Sequence, residues 1–226
     1  MGLFGRKKND KQRTYDLDDK YESLHSRGQY EEAIACCDEV ITLDPENNFA
    51  WLNKGNSSIK LGQYDEAIAC YDEVIRLDPE SHNAWHNKGK ILDSLGKYEE
   101  AIACYDKVIQ FEDPWHSESA LFGKGTTLFR LERYEESLAC FDEAIRLHNP
   151  GTVTSIHLYS VLNSKGIVLD TLGKYEEAIA CYDVVNMAFP EYLEGWNLKG
   201  HTLKELGRDK EAEECFAKAK ELEENQ

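Results

Sequence analysis

Apolar positions recur along most of the chain at spacings of three and four residues, the period of an amphipathic α-helix. One such stripe is formed by Ala67, Ile68, Tyr71, Val74 and Ile75, and a shorter one upstream by Trp51, Gly55 and Ser58. No segment gives a competing signal for a β-strand. The pattern therefore predicts an all-α protein.

Glycine and proline mark the ends of the predicted helices. The first helix of each pair ends at a glycine that accepts the left-handed conformation, and only Glu132 breaks this column. The second helix begins with an acidic pair such as Glu99 and Glu100, which suits the positive end of the helix dipole, and stops just before a proline. The glycines are Gly28, Gly62, Gly96, Gly173 and Gly207, and the prolines are Pro45, Pro79, Pro114, Pro150 and Pro190.

A seven-residue segment reveals an internal repeat. YEEAIAC begins at Tyr30, Tyr98 and Tyr175, with variants at Tyr64, Tyr134 and Asp209, so successive starts are 34, 34, 36, 41 and 34 residues apart. Residues 1–13 form a basic tail that we expect to be flexible, and the insertions His116–Ser117 and Thr152–Leu158 interrupt the array. The six predicted repeats are 14–47, 48–81, 82–115, 118–151, 159–192 and 193–226.

Over residues 14–226, the chain resembles the tetratricopeptide repeat family through motifs that return in register. These are W-x-x-K-G, L-G-x-Y-E-E-A, Y-D-x-V-I and D-P. The resemblance implies a right-handed α-solenoid of antiparallel helix pairs, with a concave face built from the first helices. One helix pair cannot bury its apolar stripe alone, so neighbouring pairs are expected to stack into a continuous core.

The same resemblance implies that the ligand-facing residues lie on the inward side of the first helices. Exposed Phe and Leu with interspersed Asn suit an extended peptide, because amides bond its backbone while apolar groups hold its side chains. Alternatively, some of these aromatic residues pack between repeats. The predicted peptide-binding residues are Phe49, Leu52, Asn56, Ile59, Asn83, His86, Asn87, Lys90, Phe122, Thr126, Phe129, Arg130, Asn163, Ile167, Asn197 and His201.

Some family members hold the C-terminal carboxylate of heat-shock chaperones in a clamp of Lys, Asn and Arg. Asn56 and Asn87 match two places of that clamp. Leu52, Ser119 and Gly123 stand where it needs basic residues. We therefore do not expect this chain to bind a chaperone tail.

Two charged columns depart from the usual family pattern. Every repeat has a Lys beside the place of the packing glycine, and every second helix except the last has an Asp at one matched place. We expect each Asp to pair with the Lys of the following repeat, the alternative being two separate solvated rows. The columns are Lys20, Lys54, Lys88, Lys124, Lys165 and Lys199, and Asp38, Asp72, Asp106, Asp142 and Asp183.

The terminal repeats differ from the internal ones. Tyr21 replaces the packing glycine in the first repeat, which we expect to be the least regular. In the last repeat, Glu213 and Lys220 take places that are apolar in most of the other repeats, as a solvent-exposed terminal helix requires.

The charge distribution limits the possible partners. Residues 1–13 hold five basic residues and one acidic residue, whereas the remainder holds 21 Lys and Arg against 42 Asp and Glu. Such an acidic body repels nucleic-acid phosphates. The chain shows neither a signal peptide nor a membrane span, so we expect a cytoplasmic protein for which membrane contact through the basic tail is the weaker alternative.

The sequence offers no recognisable catalytic, cofactor or metal site. Six of the seven cysteines occupy one column, where stacked repeats would hold them roughly 10 Å apart, too far for disulfides. His82 and His86 have a spacing that suits a metal, but no further ligand at matching spacing completes the site. We predict that the protein is not an enzyme.

These observations predict a scaffold that binds an extended or helical segment of a partner protein in its concave face. The alternative is a self-assembling structural protein, for which the basic tail offers a membrane contact, and we favour a monomer. A mass that does not change with protein concentration would count against self-assembly.

Overall fold

A computed structural model of the protein describes residues 3–148 and 155–225. The described residues form twelve α-helices and no strand, which confirms the predicted all-α solenoid class. The helices are α1 Leu3–Ser26, α2 Tyr30–Leu43, α3 Asn48–Lys60, α4 Tyr64–Leu77, α5 His82–Ser94, α6 Tyr98–Gln110, α7 Pro114–Arg130, α8 Tyr134–Leu147, α9 Ser155–Thr171, α10 Tyr175–Ala188, α11 Leu193–Glu205 and α12 Asp209–Glu224.

The chain divides into two compact units, Met1–Lys107 and Val108–Gln226. In the first unit α1 to α5 pack successively, each on the next helix along the chain. In the second unit α7 to α12 do the same, and the first helices α7, α9 and α11 also contact one another in sequence. Each unit is therefore a stack of successive helices with apolar clusters between them.

The left-handed ends of the first helices are confirmed. Gly28, Gly62, Gly96, Gly173 and Gly207 have φ between 72° and 77°. Glu132 adopts the same conformation with φ 60°, although it has a side chain. The conformation therefore belongs to the repeat, because the chain must reverse at this point whichever residue is present.

The prolines do not all have the predicted role. α2, α4 and α10 end two residues before Pro45, Pro79 and Pro190. α6 already ends at Gln110, and Pro114 is instead the first residue of α7, where its missing N–H costs nothing. Asp113 caps this helix by accepting a bond of 2.9 Å from the backbone N–H of Trp115. Pro150 lies outside the described residues.

The insertions lengthen two of the first helices. α7 and α9 each have 17 residues, whereas α3, α5 and α11 have 13. His116 and Ser117 lie in the first turn of α7 and thus extend a helix without forming a loop. Residues 152–154 of the second insertion lie outside the described part of the chain, and its remaining residues belong to α9.

The basic segment at the start of the chain is also helical. α1 runs back to Leu3, so the boundary predicted at residue 13 does not coincide with a helix end. Beyond Gly5 the segment contains neither glycine nor proline, and it therefore presents nothing that breaks a helix. Arg13 forms an ion pair with Glu39 on α2.

In every helix pair after the first, a glycine on the first helix faces an aromatic ring on the second. A Cβ on Gly89 would lie 2.9 Å from the ring of Tyr105, and one on Gly125 would lie 2.6 Å from Phe141. Gly55, Gly166 and Gly200 have the same relation to Tyr71, Tyr182 and Phe216. The glycines are needed because only hydrogen leaves room for the rings.

The first repeat reverses this arrangement. Tyr21 takes the place of the glycine, and Cys37 takes the place of the aromatic residue sixteen positions later. Both side chains are buried, and the Tyr21 hydroxyl donates a bond of 3.2 Å to the carbonyl of Asn53. The first repeat thus keeps one large and one small side chain at the contact, with the two helices exchanged.

The predicted Asp–Lys pairs are confirmed at four junctions between repeats. The Nζ-to-Oδ1 distances are 3.0 Å for Lys54 with Asp38, 2.5 Å for Lys88 with Asp72, 2.5 Å for Lys165 with Asp142 and 2.6 Å for Lys199 with Asp183. Although partial burial lowers the pKa of Lys54, hydrogen bonds to Glu66 and Asp38 outweigh this and raise it. At these four junctions the ion pair links the second helix of one repeat to the first helix of the next.

Two further predictions, on the cysteines and on the last helix, are confirmed. Every cysteine is a buried thiol and not half of a disulfide. Glu213 and Lys220 are exposed on α12, as predicted for the last helix. Among the described residues, no helix combines the length and the apolar character needed to cross a membrane.

Candidate functional site

In the first unit, the predicted binding residues lie on α3 and α5. Phe49 is the most exposed of the apolar ones, with 74% of its surface exposed. Asn83 and Lys90 are also exposed, while Leu52 and Ile59 are half-buried and pack against the apolar core. This part of the surface therefore combines an open aromatic ring with polar groups.

An amide network joins the two helices of this surface. The oxygen Oδ1 of Asn56 accepts bonds from the Tyr71 hydroxyl at 2.7 Å and from Nδ2 of Asn87 at 3.2 Å. Because both bonds end on Oδ1, the Nδ2 donor of Asn56 takes no part in them. His86 packs edge-on against Tyr105, with ring centroids 5.8 Å apart. The network holds Asn56 and Asn87 in fixed positions.

In the second unit, the predicted residues form a small cleft between α7 and α9. It has a volume of about 60 Å³ and is lined by Thr126, Phe129, Phe141, Ser164, Ile167 and Val168. A single water needs about 10–15 Å³ of such space, so the cleft has room for the end of one aliphatic side chain. The structure thus brings Thr126, Phe129 and Ile167 together at one apolar cleft.

The aromatic residues of this unit are only partly available. Phe122 lies 6.2 Å from Phe141 and Phe129 lies 5.7 Å from Tyr134, measured between ring centroids. Both rings are half-buried and therefore also belong to the packing of their own helix pair. The alternative that these aromatics have a packing role holds for them in part, whereas Phe49 is largely exposed.

The polar residues of the second unit differ in accessibility. Arg130 and His201 are exposed and Asn197 is half-buried. Asn163 is only 6% exposed, and its Oδ1 has no hydrogen-bond partner in the structure. A partner could therefore reach Asn163 only after nearby side chains move.

Two further sets of residues were not singled out from the sequence. The indole Nε1 groups of Trp51, Trp85 and Trp196 donate to the carbonyls of Pro45, Pro79 and Pro190 at 2.9–3.0 Å. In the sequence, this contact could have been predicted from the Trp of the W-x-x-K-G motif and the Pro of the D-P motif, which recur together. A cluster of Tyr159, Phe189 and Tyr192 joins α9 to the loop before α11. In the sequence, this cluster was marked by aromatic residues at repeat positions that are polar in most of the other repeats.

Comparison with known families gives the same assignment throughout most of the chain. Two models described as tetratricopeptide repeat match residues 52–114 and residues 118–148, 159–183 and 193–226. A model of the protein prenyltransferase alpha subunit repeat matches residues 30–56. No curated protein sequence matches the chain significantly.

Several solved structures share the fold. The crystal structure of MamA superposes on this chain with a TM-score of 0.66 and 25% sequence identity. The match covers 76% of this chain and 95% of the MamA chain. PilF of Pseudomonas aeruginosa is 15% identical with a TM-score of 0.75, covering 96% and 100%. YrrB, described as a TPR protein with an unusual peptide-binding site, is 20% identical with a TM-score of 0.63, covering 82% and 91%.

The repeated motifs, the stacked helix pairs and the family matches agree. Tetratricopeptide repeats serve as scaffolds for interactions between proteins, and the matched repeats give this chain that scaffold architecture. The protein belongs to the tetratricopeptide repeat family.

Proposed function

We propose that the protein binds an extended segment of a partner protein along the first helices, with contacts in each of its two units. The observation that carries this proposal is the cleft between α7 and α9, where Thr126, Phe129 and Ile167 meet. An aliphatic side chain of the partner occupies the cleft. Arg130 on α7 and His201 on α11 are exposed on first helices of the same unit, and they offer polar contacts to the partner.

The first unit supplies a second set of contacts of the same kind. The exposed ring of Phe49 offers apolar area, and the Nδ2 donor of Asn56 is suited to a backbone carbonyl. The likeness to YrrB supports peptide binding by this fold, since that protein is described as having a peptide-binding site. Asn163 is left out of the proposed contacts because it is buried.

The test is an affinity capture from the native cell lysate, followed by binding measurements with the captured partner. Thr126→Ile fills the cleft and Phe49→Ala removes the exposed ring, and neither change disturbs a fully buried residue. We expect the double variant to bind the partner at least tenfold more weakly, because contacts in both units are lost. Leu95→Ala, which removes an exposed apolar side chain at the end of α5, is the matched control.

Equal binding by the wild type and the double variant, with unchanged helicity, would contradict the proposal. Weaker binding by the Leu95→Ala control would also contradict it, since the effect would then not be specific to the first-helix faces. Sedimentation at several concentrations separates partner binding from self-assembly.

A further inference from the structure

The exposed side of α10 is apolar where the corresponding second helices are charged. Val184 is 46% exposed and Met187 is 80% exposed. The same two places in the second, fourth and sixth repeats hold an ion pair one turn apart. These pairs are Glu73 with Arg76 at 2.8 Å, Glu143 with Arg146 at 2.7 Å and Lys218 with Glu221 at 3.0 Å.

An open cleft lies at the end of α10, directly after Met187 in the chain. The cleft has a volume of about 590 Å³ and is lined by Tyr159, Ala188, Phe189, Pro190, Glu191 and Tyr192. The ring of Tyr159 lies 5.2 Å from that of Phe189 and 5.0 Å from that of Tyr192. Phe189 stands where the first two repeats have Asp44 and Asp78, so the fifth repeat has exchanged a charge for an aromatic ring here too.

The loop that carries this cleft is held in place. Nε1 of Trp196 donates a bond of 2.9 Å to the carbonyl of Pro190, and the Tyr192 hydroxyl donates one of 2.6 Å to Glu194. The cleft therefore does not have to be ordered when a ligand arrives, which lowers the entropic cost of binding. Its volume is within the usual range of ligand pockets, about 300–1,000 Å³.

An acidic cleft lies beside the apolar one. It has a volume of about 490 Å³, shares Pro190 and Glu191 with the first cleft, and is also lined by Lys218, Glu221, Leu222 and Asn225. Lys218 already pairs with Glu221 at 3.0 Å, so its charge is matched within the cleft. Glu191 leaves a net negative charge next to the aromatic cluster.

We propose that these two clefts form a second protein-binding surface, separate from the first-helix faces. Its occupant is a partner segment in which a bulky apolar side chain is followed, within a few residues, by basic side chains. The apolar side chain enters the Tyr159–Phe189–Tyr192 cleft, and the basic side chains lie against Glu191. Charge complementarity selects this partner over an acidic or purely apolar one.

The test uses the full chain and four fluorescein-labelled peptides in which Phe precedes Arg-Lys by one to four residues. Fluorescence anisotropy is expected to show binding of at least one peptide below 1 mM. Peptides with Glu in place of Arg and Lys, or with Ser in place of Phe, are expected to bind at least tenfold more weakly. Raising the salt concentration is expected to weaken the binding of the basic peptide.

Two variants of the surface separate its apolar and acidic parts. Val184→Glu/Met187→Arg restores the ion pair of the other repeats and, combined with Phe189→Asp, is expected to weaken binding at least tenfold while circular dichroism is unchanged. Glu191→Gln is expected to reduce the affinity and its salt dependence, and it leaves the Lys218–Glu221 ion pair in place. Leu95→Ala at the end of α5, which lies outside both proposed surfaces, is the control that leaves this binding unchanged.

Three results would overturn the proposal. One is that none of the four peptides binds below 1 mM, and another is that the acidic peptides bind as well as the basic ones. The third is self-association that is lost in the triple variant, because the occupant would then be a second copy of this chain. A failure of the first-helix experiment leaves these outcomes unaffected, since the two tests change different residues.

Discussion

Glu132 has a backbone conformation that glycine provides in five other repeats. Its φ of 60° brings the side chain close to its own backbone, at a cost of roughly 1–2 kcal/mol for a residue other than glycine. The repeat nevertheless closes in the same way, because the bond from the Arg133 N–H to the Leu128 carbonyl is formed at 3.0 Å. The strain is thus carried by one residue and does not reach the helix pair.

Glu132→Gly is expected to stabilise the protein. Relief of the strain outweighs the greater freedom of glycine in the unfolded chain, so the free energy of unfolding should rise by about 0.5–1 kcal/mol. Urea unfolding followed by circular dichroism measures the change. The reverse substitution at the equivalent place, Gly96→Glu, should destabilise by a similar amount, and a loss of stability in Glu132→Gly would contradict the prediction.

At the scale of helices, the pairs depend on one small and one large side chain meeting at a fixed place. Gly89 faces Tyr105, and the same contact recurs in every repeat after the first. In the first repeat the large residue is Tyr21 on α1 and the small one is Cys37 on α2. The volume at the contact is therefore kept although the residue types are exchanged, because cores tolerate exchange better than a change of volume.

The two positions of this exchange should be strongly coupled. Tyr21→Gly alone leaves a cavity and should cost about 3–5 kcal/mol, while Cys37→Tyr alone overpacks the contact and should cost about 1–3 kcal/mol. The double substitution restores the contact of the other repeats and should cost at least 1 kcal/mol less than the sum. Denaturant unfolding of all four proteins measures the coupling, and additive losses would contradict it.

At the scale of the whole molecule, the core contains many ionisable groups in their neutral form. Burial raises the pKa of the Cys37 and Cys70 thiols to about 12 and that of Cys104 to about 11. Burial likewise raises the pKa of Tyr21 to about 12. These groups release their protons more readily in the unfolded chain, where their pKa values are near 9 for Cys and 10 for Tyr.

The stability of the protein should therefore fall at alkaline pH. The contribution of the neutral thiols and phenols is complete below pH 9 and is lost as the pH rises towards 11–12, because deprotonation favours the unfolded state. Thermal unfolding between pH 7 and pH 11 checks this, with reaction of the thiols with iodoacetamide as a second measurement. The decline should persist in 0.5 M salt, which screens the repulsion of surface charges, and a constant melting temperature would contradict the prediction.

Most of the fold was predictable from local and periodic signals. The places of the helices, their left-handed ends and the Asp–Lys pairs recur with the repeat, so a single helical period and one repeat length suffice to locate them. The first-helix residues were also placed on the correct helices. The extent of α1 was missed, because a basic segment without helix breakers can be either helical or irregular. The role of Pro114 was missed, because a proline near a loop can either follow one helix or begin the next.

The sequence by itself determined the helix pairs and the Asp and Lys columns whose ion pairs join successive repeats. This was possible because residues in a regular helix keep their relative positions. Only the tertiary structure decided which side chains share a cleft. Tyr159 and Phe189 are thirty residues apart, and Thr126 and Ile167 are forty-one apart, so each pair meets only through the packing of different helices. The burial of Asn163 likewise depends on the volumes of its neighbours, which no period in the sequence encodes.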